Sequence, residues 1–197
     1  MRLFLALDVS LVQLDLKKLK VNLNQGKNFQ HQWIPHEQRH ISLFNLSDIG
    51  RERLTEFKAA MSTRLQEIAP FELKLSGVWA YPKQEHARVL WIGVQNSREL
   101  RAFRDELISS LNDFLSSELE NESIYRPYLP VVRLRNYRSV TDLISPYKNT
   151  DFGMIKINKV ILYEMVSGGA FPKYREETVF SLGNLISESE DLNHLGG

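Results

Sequence analysis

The stretch His40-Ile41-Ser42-Leu43 places a histidine and a serine two residues apart, each followed by an apolar residue. Side chains on a β-strand alternate between its two faces, so a strand here places His40 and Ser42 together on one face. The two apolar residues of the stretch then face the hydrophobic core. An imidazole beside a hydroxyl on a polar strand face suits proton transfer near a bound phosphate.

Around this stretch, apolar patterns alternate between strand-like and helix-like segments, which indicates an α/β or α+β domain. The predicted strands are Leu3–Leu7, His40–Phe44, Phe71–Leu75, Val78–Tyr81 (separated from the previous one by Gly77), Val89–Val94, Leu129–Leu134, Lys159–Val166 and Thr178–Leu182. The predicted helices begin at Ser10 with Gln13 in capping-box position, after Ser47-Asp48, and near Asn96 or Ser97. Apolar residues three and four positions apart give each helix one buried face, as Val12, Leu16, Leu19 and Leu23 do in the first.

Composition excludes several classes of protein. The chain has 197 residues, 43% of them hydrophobic, so disordered and fibrous proteins are excluded. Its 25 basic and 24 acidic residues leave no broad basic field for binding. The absence of cysteine excludes disulfides, thiolate nucleophiles and cysteine zinc sites. The apolar run Leu3–Leu7 is too short for a signal peptide or a membrane span. We therefore expect a cytoplasmic protein with one two-lobed domain over residues 1–197 and a frayed tail from Ser187.

A second group of polar residues lies between Tyr125 and Arg138. From Ser123 to Thr141 there is no carboxylate, but there are four arginines with three tyrosines among them: Arg126, Arg133, Arg135 and Arg138, with Tyr125, Tyr128 and Tyr137. Arginine forks bind phosphate well and tyrosine rings can stack on bases. Alternatively, this is an exposed edge strand whose arginines pair with the acidic residues of Asp113–Glu122. Further along, Tyr163, Phe171, Lys173 and Tyr174 could form part of a ligand wall, whereas Trp33, Trp79 and Trp91 are expected in the core and at its rim.

Taken in order, these segments resemble the two-histidine (2H) phosphoesterase family, the group named after 2'-5' RNA ligase. The resemblance spans nearly the whole chain. It rests on the opening strand Arg2–Asp8, Trp33-Ile34-Pro35 before His40-Ile41-Ser42-Leu43, the strand Arg88–Trp91, and Leu162-Tyr163-Glu164 before a Gly168–Tyr174 loop. The resemblance implies an α+β, bilobal fold in which two antiparallel sheets face a central cleft and helices cover their outer faces.

The chain departs from the family pattern in the second motif. Where the family has Arg-Pro-His-Leu-Thr, this chain has Arg126-Pro127-Tyr128-Leu129-Pro130, so Tyr128 replaces the histidine and Pro130 the threonine. Arg126 and Arg133 keep their matching places. Because proline has no N–H to give to a sheet, Pro130 also predicts an edge position or a local bulge.

In the family, one imidazole takes a proton from the attacking water or hydroxyl and the other protonates the leaving ribose oxygen. The resemblance therefore implies His40 and Tyr128 as catalytic residues and Ser42, Arg126 and Arg133 as phosphate or substrate ligands, with no metal or cofactor. A tyrosine with a pKa near ~10 stays protonated at pH 7, so Tyr128 could act as an acid but not as a base. Loss of one proton-transfer group costs about 10²–10⁴ in rate.

Three functions follow from this pattern. The first, which we take as the prediction, is a protein that binds RNA or nucleotides with 2',3'-cyclic or 2'-5'-linked phosphates but has impaired catalysis. The second is an active RNA 2',3'-cyclic phosphodiesterase with His40 as base and Tyr128 as acid. The third is a non-catalytic interaction module. The expected partner is a nucleotide or a short RNA end, bound by a monomer without a membrane or metal.

Overall fold

The computed structural model describes residues 2–9, 12, 14–25, 30–46, 49–95, 97–111, 114, 125–166 and 173–183. The strands are β1 (Leu3–Asp8), β2 (His31–Trp33), β3 (His40–Leu46), β4 (Phe71–Lys83), β5 (His86–Val94), β6 (Tyr128–Arg138), β7 (Asp151–Ile157), β8 (Lys159–Val166) and β9 (Lys173–Ser181). The helices are α1 (Lys17–Gln25), α2 (Arg51–Gln66), α3 (Ser97–Ser110) and α4 (Thr141–Ile144). Short 3-10 turns lie at His36–Gln38 and Ser145–Tyr147.

The strands form two antiparallel sheets, which confirms the predicted α+β class. One sheet has four strands in the order β3-β1-β8-β9, and the other has five in the order β2-β6-β5-β4-β7. The first motif lies on β3 and the second on β6, so each sheet contributes one motif. As a result, a ligand between the sheets can contact both motifs.

A continuous hydrophobic core joins the buried faces of both sheets to the helices. Helix α2 buries Phe57, Met61 and Leu65 completely, as the predicted spacing of three and four residues requires. Helix α3 packs nearby, because the ring of Phe103 lies 5.1 Å from that of Phe71 on β4. On the opposite face of the four-stranded sheet, Phe4, Ala6, Ile161 and Tyr163 form a second, smaller buried cluster.

Helix α1 is shorter than predicted. It begins at Lys17, so Val12 and Leu16 lie before it rather than in its apolar stripe. Leu16 is still buried, which shows that an apolar residue can join the core from a non-helical segment. The proposed capping pair Ser10 and Gln13 lies outside the described residues.

The prediction that Gly77 separates two strands is wrong, because the single strand β4 runs through it. The pairing of β4 with β5 shifts register between Ser76 and Val78, so Gly77 is the extra residue of a β-bulge. Its φ of +73° favours glycine, and a Cβ there would lie 2.6 Å from the Lys148 carbonyl oxygen. The bulge therefore requires glycine.

Some predictions fall on parts of the chain outside the described residues. These are the acidic residues Asp113, Glu118, Glu120 and Glu122, the loop at 167–172 and the tail from Ser187. Among the described residues, no helix is long and apolar enough to span a membrane.

Candidate active site between the two sheets

Both motif strands carry a β-bulge at the same place. On β3 the register with β1 shifts at Leu43, and on β6 the register with β5 shifts at Val131, which lies 88 residues later. His40 and Tyr128 are also 88 residues apart and precede their bulges by the same three residues. Thus Tyr128 has the same position on β6 that His40 has on β3.

The bulge on β3 is held by two side chains from other elements. Arg104 of α3 is buried and donates from Nε to the Leu43 carbonyl at 2.7 Å. The hydroxyl of Tyr125 donates to the Ser42 carbonyl at 2.7 Å, and the Arg104 guanidinium lies 4.6 Å from the centre of the Tyr125 ring. Because Tyr125 lies just before β6, it ties the first motif to the second.

Aromatic rings surround the imidazole of His40. Its ring centre lies 5.0 Å from that of Phe4, 5.4 Å from that of Tyr163 and 5.0 Å from that of Tyr174. Only 6% of the residue is exposed. Such a setting excludes water and disfavours a charged imidazole.

A hydrogen bond fixes the tautomer of His40. Its Nδ1 lies 2.9 Å from the carbonyl oxygen of Gln38, which can only accept, so Nδ1 carries the proton and Nε2 keeps a lone pair. The pKa of His40 is lowered to about 4, mainly by burial; the bond to Gln38 opposes the change, and the charge of Arg133 adds to it. At pH 7 the imidazole is therefore neutral and can accept a proton at Nε2.

A small pocket opens beside His40, and both sheets contribute to it. It is lined by Pro130 and Arg133 of β6, Tyr174 of β9 and the segment Gln32–Pro35. Arg133 donates from Nη2 to the Tyr174 hydroxyl at 3.3 Å. A partly buried guanidinium with its remaining donors in a pocket is suited to an anion such as phosphate.

Tyr128 lies on the open face of β6, outside the lining of this pocket. It is 46% exposed, and its ring centre lies 5.5 Å from that of Trp91. Partial burial raises the pKa of Tyr128, whereas the charge of Arg133 opposes the rise. The hydroxyl therefore stays protonated at neutral pH, and Arg133 acts electrostatically on both His40 and Tyr128.

The other predicted site residues divide between two places. Ser42 is exposed on the same face of β3 as His40 but does not line the pocket. Arg126 lines a second, larger cavity on the five-stranded sheet. Of the predicted site residues, His40 and Arg133 are thus the two that line one pocket.

Pro130 lies where a residue without an N–H can be accommodated. It lies next to the bulge at Val131, and β2 pairs with β6 only over residues 132–134. This confirms the predicted bulge. However, β6 is not an edge strand throughout, because β2 pairs with it at residues 132–134.

Four residues were predicted as part of a ligand wall. Tyr163 and Tyr174 lie against the His40 ring, and of these two only Tyr174 lines the pocket. Lys173 is exposed at the start of β9, and Phe171 lies outside the described residues. Trp79 and Trp91 were expected in the core and at its rim, but Trp79 is 45% exposed on the open face of its sheet. The contact of His40 with Gln38 uses a main-chain oxygen, which no sequence motif reveals.

Comparisons with known proteins identify the class to which this fold and site belong. Residues 10–164 match the model of the 2'-5' RNA ligase superfamily, and the chain belongs to that family. It is 27% identical over 184 residues to an RNA 2',3'-cyclic phosphodiesterase of Methanothermobacter thermautotrophicus, covering 92% of this chain and 98% of the relative.

Solved structures show the same fold. One is TT0787 of Thermus thermophilus, with a TM-score of 0.69 and 21% identity over 93% of this chain and all of that one. Another is E. coli LigT in complex with 3'-AMP, with a TM-score of 0.66 and 17% identity over 92% of this chain and 97% of LigT. LigT has also been solved with ATP and with phosphate.

Proposed function

We propose that the protein binds the phosphate end of RNA or of a nucleotide between its two sheets, and that it hydrolyses a 2',3'-cyclic phosphate slowly. The observation that carries the proposal is the neutral His40, with its Nδ1 proton held by Gln38 and Arg133 beside it. Such a reaction needs a cation that binds the phosphate and a base that takes a proton from water.

Known relatives support the class of ligand. The relative from Methanothermobacter thermautotrophicus is named an RNA 2',3'-cyclic phosphodiesterase, and LigT has been solved with a nucleotide. We therefore propose a ribose phosphate as the ligand of this chain, with Ser42 as a further donor to its oxygens.

The proposed reaction is the attack of water on the cyclic phosphorus. As the oxygen of water bonds to phosphorus, Nε2 of His40 takes its proton, and the bond from phosphorus to one ribose oxygen breaks. That oxygen takes a proton from a tyrosine hydroxyl, and Arg133 balances the charge on the phosphoryl oxygens. The product is a ribose monophosphate with a free neighbouring hydroxyl.

Two features of the site make this reaction slow. Proton transfer is most efficient when the pKa of the base is near the working pH, whereas the pKa of His40 is about 4. The proton donor is a tyrosine with a raised pKa in place of an imidazole. Both differences reduce the driving force for proton transfer at neutral pH.

Two tyrosines are candidates for the acid. Tyr128 holds the motif position and responds to the charge of Arg133. Tyr174 lines the pocket of His40 and contacts Arg133 directly. We assign the acid to Tyr128, and the variants Tyr128→Phe and Tyr174→Phe distinguish the two.

The experiment is hydrolysis of a short RNA that ends in a 2',3'-cyclic phosphate, measured beside a family member with both histidine motifs. We expect a rate about 10²–10⁴ lower than that of the control enzyme and none above background for His40→Gln. Tyr128→Phe should remove most of the remaining rate. If wild type matches the control, catalysis is not impaired; if Tyr174→Phe has the larger effect, Tyr174 is the acid.

One observation favours the interaction module as a second candidate. Arg133 reaches across the pocket to Tyr174, and aromatic rings leave little of His40 accessible. A pocket closed in this way could be structural. Titration with 3'-AMP and inorganic phosphate separates the two functions, because the proposed site binds them and an interaction module does not.

A further inference from the structure

A second cavity of about 430 Å³ lies on the open face of the five-stranded sheet. The described residues that line it include two tryptophans, Trp79 and Trp91, and three cations, Arg101, Arg126 and Lys148, but no carboxylate. The chain as a whole has a net charge of only +1, so this cavity concentrates positive charge. Aromatic faces together with cations are the combination that binds single-stranded nucleic acid.

The two tryptophans form a platform rather than part of the core. Their ring centres are 6.2 Å apart and their planes differ by 27°. Gly93 makes room for the indole of Trp79, because a Cβ at this position would lie 3.1 Å from Trp79 Nε1 and 2.8 Å from the Ser76 carbonyl oxygen. The side chain thus packs closely on the sheet.

This platform continues from the pocket of His40. Tyr128 contacts Trp91 on one side and is coupled electrostatically to Arg133 and Tyr174 on the other. Pro130, which lines the first pocket, is the cross-strand neighbour of Trp91, which in turn pairs with Trp79. Because adjacent strands are about 4.8 Å apart, the platform extends about 10 Å across the sheet from Pro130.

We propose that this cavity binds the part of an RNA strand that precedes the terminal phosphate. A base stacks on Trp79 and Trp91, and a backbone phosphate contacts Arg126 and Lys148. The inference rests on the proposed function, because it assumes that the strand ends at His40. It makes the substrate an oligonucleotide rather than a free cyclic nucleotide.

Calorimetric titration compares a 2',3'-cyclic mononucleotide with a four-residue RNA that has the same end. We expect the RNA to bind at least 10-fold more tightly. The variant Trp79→Ala should weaken RNA binding by about 5- to 100-fold, with a much smaller effect on the mononucleotide. Trp79→Phe should retain most of the affinity, because it retains an aromatic face.

The phosphate contact has its own measurement. In Arg126→Gln with Lys148→Gln, the slope of log affinity for RNA against log salt should fall by about 0.7 per cation removed. Tyr137→Ala and Lys156→Gln are matched controls: Tyr137 is 54% exposed on the same sheet and Lys156 is exposed on β7, both outside the cavity. Neither control should change RNA affinity.

The outcomes separate this inference from the proposed function. If mononucleotide and RNA bind equally and the Trp79 and Arg126 variants behave as wild type, the second subsite is wrong and the first site stands. If the mononucleotide binds at two equivalent sites, the cavity takes free nucleotides and the strand assignment is wrong. If RNA binding depends on Trp79 but is unchanged in His40→Gln and Arg133→Gln, the cavity binds RNA, but the proposed function fails and with it the assignment of the strand end to His40.

Discussion

The Nδ1 atom of His40 lies 2.9 Å from the carbonyl oxygen of Gln38, two residues earlier in the chain. The 3-10 turn at His36–Gln38 directs this carbonyl towards the imidazole, and the turn is held in place by Arg39, which donates from Nε to the Ile34 carbonyl at 3.2 Å. The contact leaves Nε2 as the only nitrogen of the ring that can accept a proton. The orientation of the imidazole is therefore set before a ligand binds.

The pH dependence of hydrolysis tests this assignment. Since the pKa of His40 is about 4, the imidazole is already deprotonated at pH 6. The value of kcat/KM, which reports the pKa values of the free enzyme, should therefore rise with pH through about pH 4. The raised pKa of Tyr128 keeps the acid protonated, so the rate should stay level up to about pH 9. A pH series in constant ionic strength measures both limbs.

A two-histidine enzyme has a bell-shaped dependence of rate on pH, since its acid deprotonates near neutrality. A bell with both limbs between about pH 5 and pH 8 would contradict a tyrosine acid. The control is Tyr128→Phe, in which any limb that belongs to this tyrosine disappears.

Unfolding provides a test of His40 that does not require activity. The folded-state pKa of about 4 lies below the unfolded value near 6.5, so the unfolded chain binds the proton more tightly. The stabilising effect of the neutral imidazole is complete above pH 6.5 and is lost as the pH falls to 4. The loss amounts to about 3 kcal/mol. Urea unfolding at pH 7 and pH 4 measures it.

The variant His40→Gln isolates this effect from that of other groups. Asp151 and Glu177 have lowered pKa values and also lose stabilisation in acid, but they do so in both proteins. Wild type should therefore lose about 3 kcal/mol more than His40→Gln between pH 7 and pH 4. Equal losses would show that His40 is not protected from protonation in the folded state.

Arg133 should contribute both to phosphate binding and to the titration of His40. Removal of its charge in Arg133→Gln should weaken binding of 3'-AMP by about 10- to 100-fold, the usual range for a hydrogen bond to a charged group. The pKa of His40 should rise, because the charge of Arg133 lowers it in wild type. Calorimetry measures the first effect and an NMR titration of the imidazole the second.

Arg135→Gln is the matched control, because Arg135 is an exposed arginine two residues further along β6. It should leave both quantities unchanged. If Arg133→Gln keeps its affinity for 3'-AMP and shifts no pKa, the phosphate does not bind beside His40.

Local periodicity was enough to predict the first motif and the main helices. The exposed Ser42 between the buried Ile41 and Leu43 follows from the alternation of a strand. The apolar face of α2 follows from the helical repeat. The carbonyl contact of Arg104 with Leu43 joins residues 61 positions apart, so it depends on tertiary packing and no local pattern contains it.

The bulges explain why simple strand alternation does not predict which sheet face carries Trp79 or Arg133. A strict alternation from Leu73 and Leu75 would turn Trp79 into the core, but the extra residue Gly77 turns it outwards. In the same way, the bulge at Val131 puts Arg133 on the face of Tyr128 rather than on the opposite one. Side chains of a strand alternate with a period of two, and the extra residue of a bulge reverses this alternation for the residues that follow.

Strands β2 and β7 were not predicted, for different reasons. A strand of three residues, His31–Trp33, is too short to show a pattern. Strand β7 contains Gly153 with a φ of +88° and is mostly exposed, so its apolar residues do not alternate regularly. Both strands are held by pairing with a longer neighbour, which the sequence does not show.

Restoring the family residues in the second motif tests whether the rest of the site is still competent. We expect Tyr128→His with Pro130→Thr to raise cyclic phosphodiesterase activity by about 10²-fold or more, the usual contribution of one proton-transfer group. The measurement is hydrolysis of the same cyclic-ended RNA at pH 7. As a control, the affinity of the double variant for 3'-AMP is measured to show that it still binds the nucleotide.

The expected gain depends on both changes, because each restores a different part of the motif. A histidine at 128 titrates near neutrality, and the bulges give it the same position on β6 that His40 has on β3. A threonine at 130 returns a hydroxyl beside the pocket and a main-chain N–H to the strand. Tyr128→His alone should gain less, since a proline left in the strand can misplace the ring and small displacements are costly. A double variant that folds, binds 3'-AMP and is no faster than wild type would show that Tyr128 and Pro130 do not limit the rate.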